Sequence, residues 1–443
     1  MAGALLTLGF LLFLFDGGHA LFRDADAGWH IRNGESILRD RQLPRTDPYS
    51  WSKPGQPWFA WEWASDVLMG ALHQCGGLAA VAWLYALSIA CCTWLWFQLT
   101  WTTGGNFLIA CAFASPMLTT ANLHWLARPH VFGWLLLLIS LLLIERNERR
   151  WWPWILIAAA WANIHASFFL LPLILLFYKR TAAIPAALAT FLNPYGWNLH
   201  AHVFHYLRDH ELLQRIGEFQ SFNFHSEGAI QIALALLLSS GGAALLLSRR
   251  DYPRGLTVLL LTAIAIRSAR GLPIMALAAL PLANAALSRL TLPPAFRQYS
   301  GNLRNHDRKF RGWLLAPLAA LAAWFWLAPR AGFPPDIFPT EAIHHIPPQA
   351  RLFAPDKYGG YLIYAFNGGR QVFFDGRSDY YGAEFMKDYI AMVQLRPGWQ
   401  EQWQRSNFTA ALIPREYSLN SVLPALGWRE TYRDRTAVLW TKN

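Results

Sequence analysis

The chain opens Ala2-Gly3-Ala4-Leu5-Leu6-Thr7-Leu8-Gly9-Phe10-Leu11-Leu12-Phe13-Leu14-Phe15-Asp16-Gly17-Gly18-His19-Ala20-Leu21 and then turns polar at Arg23-Asp24-Ala25-Asp26-Ala27-Gly28-Trp29-His30. A run this apolar reads as a helix crossing a membrane, and the two carboxylates beyond it mark where the chain leaves the bilayer. It has no basic amino-terminal region and no clear small-residue cleavage site, so it is read as a first transmembrane helix and not as a secretory signal.

Working outward, further apolar stretches follow near 78–101, 105–121, 129–145, 152–163, 167–178, 181–195, 228–248, 255–268, 271–288 and 313–328, which makes eleven expected crossings. Several are shorter than the roughly 20 residues of a straight span, and the two pieces flanking Asn163 and His165 are expected to be half-helices meeting inside the protein. The 443 residues are 54% apolar and 15% charged, where soluble domains carry about 25% charged residues. That composition excludes a cytosolic enzyme and a disordered chain. The net charge of +11 lies largely in loops between apolar runs. Without a basic helix interleaved with exposed aromatics, nucleic acid is excluded as a partner. Cys75, Cys91, Cys92 and Cys111 lie in or beside apolar segments with no metal-type spacing, which excludes a disulfide framework.

Cytoplasmic loops concentrate Lys and Arg. Residues 145–150, 179–180, 249–254 and 289–311 all fall on one side of an eleven-span chain, which sets the amino terminus in the cytoplasm. The loop 23–58 departs from this rule, with Arg23, Arg32, Arg39, Arg41, Arg45 and Lys53, although its acids offset part of that charge. The expected organisation is a helical polytopic membrane domain over 1–330, with external loop 23–58, followed by an external α/β domain over 331–443. The expected location is a bacterial inner membrane, with the carboxyl-terminal domain periplasmic. In that domain 351–354, 360–366, 371–375, 382–393, 409–413 and 436–440 alternate strand-like and helix-like patterns.

Chemistry-bearing residues gather on the external side. Asp24 and Asp26, with His30 beside them, have the chemistry of a general base or of a divalent metal seat for Mg or Mn. They equally suit helix capping, with Trp29 as an interfacial anchor. His124, Arg128 and His130, with Arg267 and Arg270, suit a phosphate, because planar guanidinium binds it bidentately; ordinary snorkelling is the alternative. Asn163, His165 and Ser167 sit in an apolar stretch, where polar groups either act on a ligand or satisfy a broken helix. Asn193-Pro194-Tyr195-Gly196 reads as a shaping turn. A strand entering Asp375-Gly376-Arg377 puts polar groups at its carboxyl end, which fits either a ligand edge or a salt-bridged turn. His344-His345 lacks the spacing of a metal pair.

This layout resembles the polytopic GT-C-type glycosyltransferases, in which an acidic motif opens the first external loop and many spans follow. The strings Gly28-Trp29-His30-Ile31-Arg32-Asn33-Gly34, Thr46-Asp47-Pro48-Tyr49-Ser50, Asn193-Pro194-Tyr195-Gly196 and Phe374-Asp375-Gly376-Arg377-Ser378-Asp379 are similar to those of a group of bacterial membrane proteins with that layout. The resemblance implies transfer of a sugar from a polyprenyl-phosphate lipid carrier to an envelope glycan, lipid or protein. It implies Asp26 or Asp24 as catalytic base, with Glu62 a further candidate, and Arg128, Arg267 and Arg270 at the carrier phosphate. His30, His124, His130, Asn163, His165, Asp375 and Arg377 complete the candidate substrate-binding set. The chain departs from the family's oligosaccharyltransferase branch in lacking a Trp-Trp-Asp tripeptide. It departs from the mannosyltransferase and aminoarabinose-transferase branches in lacking an Asp-Glu pair, which leaves the acceptor and metal dependence open. Two rivals share the layout: a transporter using Asn163 and His165, though no inverted repeat is visible, and a membrane scaffold whose external domain binds glycan or a partner.

Overall fold

In the computed structural model, which describes residues 1–290 and 293–442, the chain is mostly helical with one small carboxyl-terminal sheet. Every apolar stretch read from the sequence lands on a helix. Trp63–Thr102, Ala229–Ser248 and Gly271–Ser288 are long and apolar enough to cross a membrane, and the bent pair Pro294–Lys309 and Gly312–Leu327, at 45°, adds a fourth candidate. Ala2–Phe13, Phe107–Asn122, His130–Glu145, Trp152–Ile164 and Ala166–Tyr178 are apolar but shorter. On length and composition, three to four crossings therefore stand where eleven were expected.

The 40-residue Trp63–Thr102 helix is two helices joined at Gly76 and Gly77, and only glycine readily takes the φ of 61° at Gly77. Beyond that kink lies the apolar half recognised in the sequence. Before it, Trp63 to Cys75 continues the helix with polar residues, including Asp66 and His73. The helix breaks at His165, whose extended backbone separates Trp152–Ile164 from the turn at Ala166–Phe169. The expected interruption between two half-helices is therefore present.

Asp26–Asp40 is the helix that positions the site. It buries Ala27, Trp29, His30, Ile31, Asn33 and Ile37 while keeping a polar face. Two glycine contacts let backbones touch on opposite sides of it. A Cβ on Gly34 would lie 1.7 Å from the Asp66 carbonyl oxygen, and one on Gly70 would lie 2.5 Å from the Gly34 backbone. On the other side, a Cβ on Gly28 would meet the Gly360 carbonyl at 2.2 Å, and one on Gly360 the Ala25 carbonyl at 2.3 Å. Asp26–Asp40 is thus pressed between the start of Trp63–Thr102 and the Asp356–Ala365 helix. Arg32 secures the second contact by donating to the Tyr364 carbonyl at 2.9 Å and to Asn367 Oδ1 at 2.6 Å.

The sheet comprises β1 (Leu352–Phe353), β2 (Ala410–Pro414), β3 (Trp428–Arg433) and β4 (Ala437–Lys442), in the order β1-β2-β4-β3. β1 and β2 are parallel and the other pairs antiparallel. Two details correct the sequence reading. Residues 371–375 form no strand of this sheet. Instead Val372 bridges Ser50, donating its N–H to the Tyr49 carbonyl at 2.8 Å, so the segment ladders onto the loop that carries Tyr49 and Ser50. β3 was missed because it is an edge strand with largely exposed side chains, lacking the apolar run that marks β2 and β4.

The glycine contacts predict a sharp contrast. Gly34→Ala should cost about 1–3 kcal/mol or more, because the clash is with backbone that no rotamer change relieves. Gly301→Ala, on an exposed helix face with nothing near its added Cβ, should be neutral or slightly stabilising. Thermal unfolding of both variants in detergent measures the difference, and equal midpoints would reject this account of the crossing.

Candidate functional site

A cavity of about 620 Å³ opens where the helix start at Asp26, the turn before His130, the break at His165, the loop 203–221, the turn at 267–271 and the segment 376–379 converge. Asp26, Glu62, His124, Arg128, His130, His165, Arg267, Arg270 and Arg377 all line it. Residues spread across most of the chain and selected by residue type are thus brought to one place. Trp29, Trp58, Trp61, Trp134 and Phe219 supply its apolar walls.

Arg128 is the hub. Its guanidinium contacts Asp24 Oδ2 at 3.1 Å, Asp26 Oδ2 at 2.8 Å and Glu218 Oε1 at 3.2 Å. Glu218 also bridges to Arg270, with Oε2 at 2.5 Å. Three carboxylates therefore surround two guanidiniums. Both members of the Asp24-x-Asp26 pair, weighed in the sequence as a base or a metal seat, turn a carboxylate oxygen to Arg128. Among the described residues no group of three or more His, Cys, Asp or Glu is arranged to hold a metal ion.

The two members of the acidic pair are placed differently. Asp24 accepts a hydrogen bond from the Asp26 backbone N–H at 2.8 Å, which serves the helix start. Asp26 is 7% exposed and lines the cavity. Burial, reinforced by Asp24, Glu218 and Asp375, pushes its carboxyl up to about 7 against the opposing pull of Arg128. Burial also holds Glu62 well above the ordinary carboxylate range, with Asp66 adding to the effect. Glu218 goes the other way: burial alone would raise it, but Arg270 and Arg128 together hold it far below that range. Burial, with Arg270 and Arg128 adding, lowers His124 to about 4 despite the presence of Glu218. Acids of one cavity are thereby set apart by their neighbours.

Other candidates serve the walls. His30 is buried, donates from Nδ1 to Asp66 Oδ1 at 2.6 Å, and has Nε2 3.8 Å from Glu62. Asn33 donates to the other Asp66 oxygen at 2.6 Å. Glu62 faces a second imidazole, His165, at 3.6 Å. His165 accepts from the Ser167 N–H at 3.2 Å, while His130 donates to the His124 carbonyl at 2.8 Å. Asn163 is a correction to the expected binding set. Its amide donates to the carbonyls of Ala159 and Leu192, both at 2.8 Å, and its oxygen accepts from Trp63 Nε1 at 2.8 Å, so it ties helices together beside the cavity. Arg267 is exposed at the rim, with no ion-pair partner among the described residues.

Asp375 and Arg377 form a clasp behind the cavity. Arg377 grips both oxygens of Asp375, at 2.8 and 2.7 Å, and reaches Asp47 Oδ1 at 2.7 Å, with all three side chains buried. The salt-bridged turn therefore describes Asp375 better than a ligand contact does. Gly376 lies between them against Asp26, where an added Cβ would stand 2.0 Å from Oδ1. The Asn193–Gly196 turn shapes the opposite wall, since Tyr195 Oη accepts from the Ala60 N–H at 3.1 Å.

Sequence reasoning missed Glu218, Asp66, Asp47 and the run Trp58-Phe59-Ala60-Trp61. Only Glu62 and Asp66, four residues apart at a helix start, left a usable periodic signal. No protein-family model matches the sequence, and no curated protein matches it.

Removing the clasp's cation strands two buried carboxylates. Arg377→Met should destabilise the protein by about 3–5 kcal/mol, and Arg377→Lys by less, although lysine cannot reproduce the forked geometry. Unfolding midpoints of both variants against wild type test this, and an unchanged Arg377→Met midpoint would refute a structural role for the clasp.

Proposed function

We propose that this chain is a GT-C-type glycosyltransferase that takes a sugar from a polyprenyl-phosphate lipid carrier on the external face of a bacterial inner membrane. The finer topology belongs to this proposal: eleven crossings including short and broken helices, a cytoplasmic amino terminus, and residues 331–443 in the periplasm. The observation carrying it is a buried carboxyl, Asp26, and two arginines, Arg128 and Arg270, lining one cavity beside helices apolar enough to cross a membrane. A base and anion-stabilising groups around a single void are what glycosyl transfer from a phosphate requires.

In the proposed step, Asp26 takes the proton of an acceptor hydroxyl as its oxygen attacks the anomeric carbon. The bond from that carbon to the phosphate oxygen breaks, configuration inverts, and the departing phosphate leaves with the electron pair. Arg128 and Arg270, with Arg267 at the rim, stabilise the charge that develops on it. An aromatic wall gives the sugar and the first isoprenes a surface of matching polarity. The broken helix at His165 also fits a transporter, yet a carboxyl raised to about 7 against the Arg128 guanidinium, with Arg270 in the same cavity, favours proton transfer coupled to anion departure.

Asp26→Asn should lower turnover by roughly 10²- to 10⁴-fold while leaving carrier binding in place. With Asp26 raised to about 7, the deprotonated, active form accumulates as pH rises. The wild-type rate should therefore climb about tenfold per pH unit below 7 and level off above it. Native mass spectrometry of detergent-solubilised protein mixed with synthetic polyprenyl phosphate should show a bound carrier that is lost in Arg128→Ala and Arg270→Ala. Absence of that adduct from wild type would move the reading to transport or scaffolding.

A further inference from the structure

The phosphate reading leaves a difficulty in the geometry. The two arginines it assigns to the anion are already bridged by one carboxylate, with Glu218 Oε1 3.2 Å from Arg128 and Oε2 2.5 Å from Arg270. The bridge is built like an occupied anion site: two oxygens on one centre, each facing a guanidinium in the manner of a phosphoryl group. Asp24 and Asp26 add two more carboxylates to the Arg128 side. Another anion placed beside Glu218 would find both guanidiniums already engaged by carboxylate oxygens, so it cannot simply be added.

We propose, resting on the phosphate reading above, that the Glu218 carboxylate occupies the seat of the ligand's phosphoryl group, and that binding exchanges one anion for the other. The exchange is a side-chain movement on a fixed backbone. The Glu218 carbonyl accepts from Ser268 Oγ at 2.9 Å and from the Arg270 N–H at 3.2 Å, and the Gln220 carbonyl accepts from the Ala269 N–H at 2.8 Å. These bonds pin residues 218–220 to the 268–270 turn and leave only the side-chain torsions of Glu218 to change. The vacated guanidiniums face the cavity, and Arg267 lines its rim as a third cation. Glu218 thereby sets a threshold: an anion must satisfy the two arginines better than a tethered carboxylate does. The carrier phosphate that transfer releases, a monoester carrying up to two charges and three free oxygens, meets it, and a carboxylate ligand does not.

The opposite sign of effect separates this proposal from a structural role. Farnesyl phosphate and inorganic phosphate are each titrated into the full-length protein in detergent by isothermal calorimetry, for wild type, Glu218→Gln, Glu218→Asp and Arg270→Ala. Thermal unfolding first establishes which variants are folded. Removing the competing charge should tighten farnesyl phosphate binding about tenfold or more in Glu218→Gln. Glu218→Asp, which keeps the charge but withdraws it, should tighten binding by a smaller factor and serves if the glutamine variant does not fold. Equal or weaker binding in the folded Glu218 variants, with binding abolished by Arg270→Ala, would overturn the exchange and leave the phosphate site standing. Failure of every protein, Glu218→Gln included, to bind either ligand at millimolar concentration would instead overturn the phosphate reading itself. Once the Glu218 variants bind more tightly, inorganic phosphate held as tightly as farnesyl phosphate would assign the seat to free phosphate, and a clear preference for farnesyl phosphate would assign it to the lipid carrier.

Discussion

The Arg377 clasp sets the geometry on which the cavity depends. One guanidinium, buried among Trp58, Tyr49 and Tyr380, holds Asp375 from the carboxyl-terminal region and Asp47 from the first loop, residues more than three hundred positions apart. Such a pair adds little net stability, since removing three charged groups from water offsets most of the attraction among them. What it adds is position. With Asp375 and Arg377 held on either side, Gly376 has one place to go, and that place is the face of the Asp26 carboxylate. Residues 376–379 of the carboxyl-terminal region are therefore part of the cavity wall, and the packing of the Asp356–Ala365 helix on the Asp26–Asp40 helix through Gly28 and Gly360 continues the same constraint.

Within that wall, carboxyls of similar intrinsic acidity are made unlike one another. Glu218 faces two guanidiniums and is held ionised. Asp26 shares one guanidinium with two other acids in a buried setting and is raised to about 7. Glu62 has imidazoles and no guanidinium in contact, and burial raises it well above the ordinary range. The graded series follows from how many cations each acid touches and how much water it has lost. Division of this kind leaves carboxyls of different protonation within one cavity.

How much of this was legible in the sequence depended on the range of the interaction. Helices were legible because apolar runs are local, and all of them reappear. Asp26, Arg128 and Arg270 were legible because charged residues next to apolar runs are costly and stand out. Glu218 was not. It lies in a polar loop where glutamate is unremarkable, and it acquires meaning only from arginines 90 and 52 residues away. The Trp63–Cys75 helix was hidden because its polar residues broke the apolar pattern just before the span began. Asp375 and Arg377 were noticed as a motif, but their partner Asp47 sits in another string, and nothing local joins the two. Asn163 was chosen for being polar in an apolar stretch, and it proved to be satisfying backbone carbonyls at a helix break, the commonest reason for such a residue.

The same reasoning bears on the scaffold alternative. A protein that only anchors a binding domain has no use for burying Asp26 against Asp24 and Glu218, because like charges brought together away from water raise the free energy of the folded state. Here the acids and arginines pair with one another along the wall of a void large enough for a small ligand. Electrostatic cost concentrated at the surface of a cavity, and not in the packing around it, is the pattern of a site prepared for a charged guest.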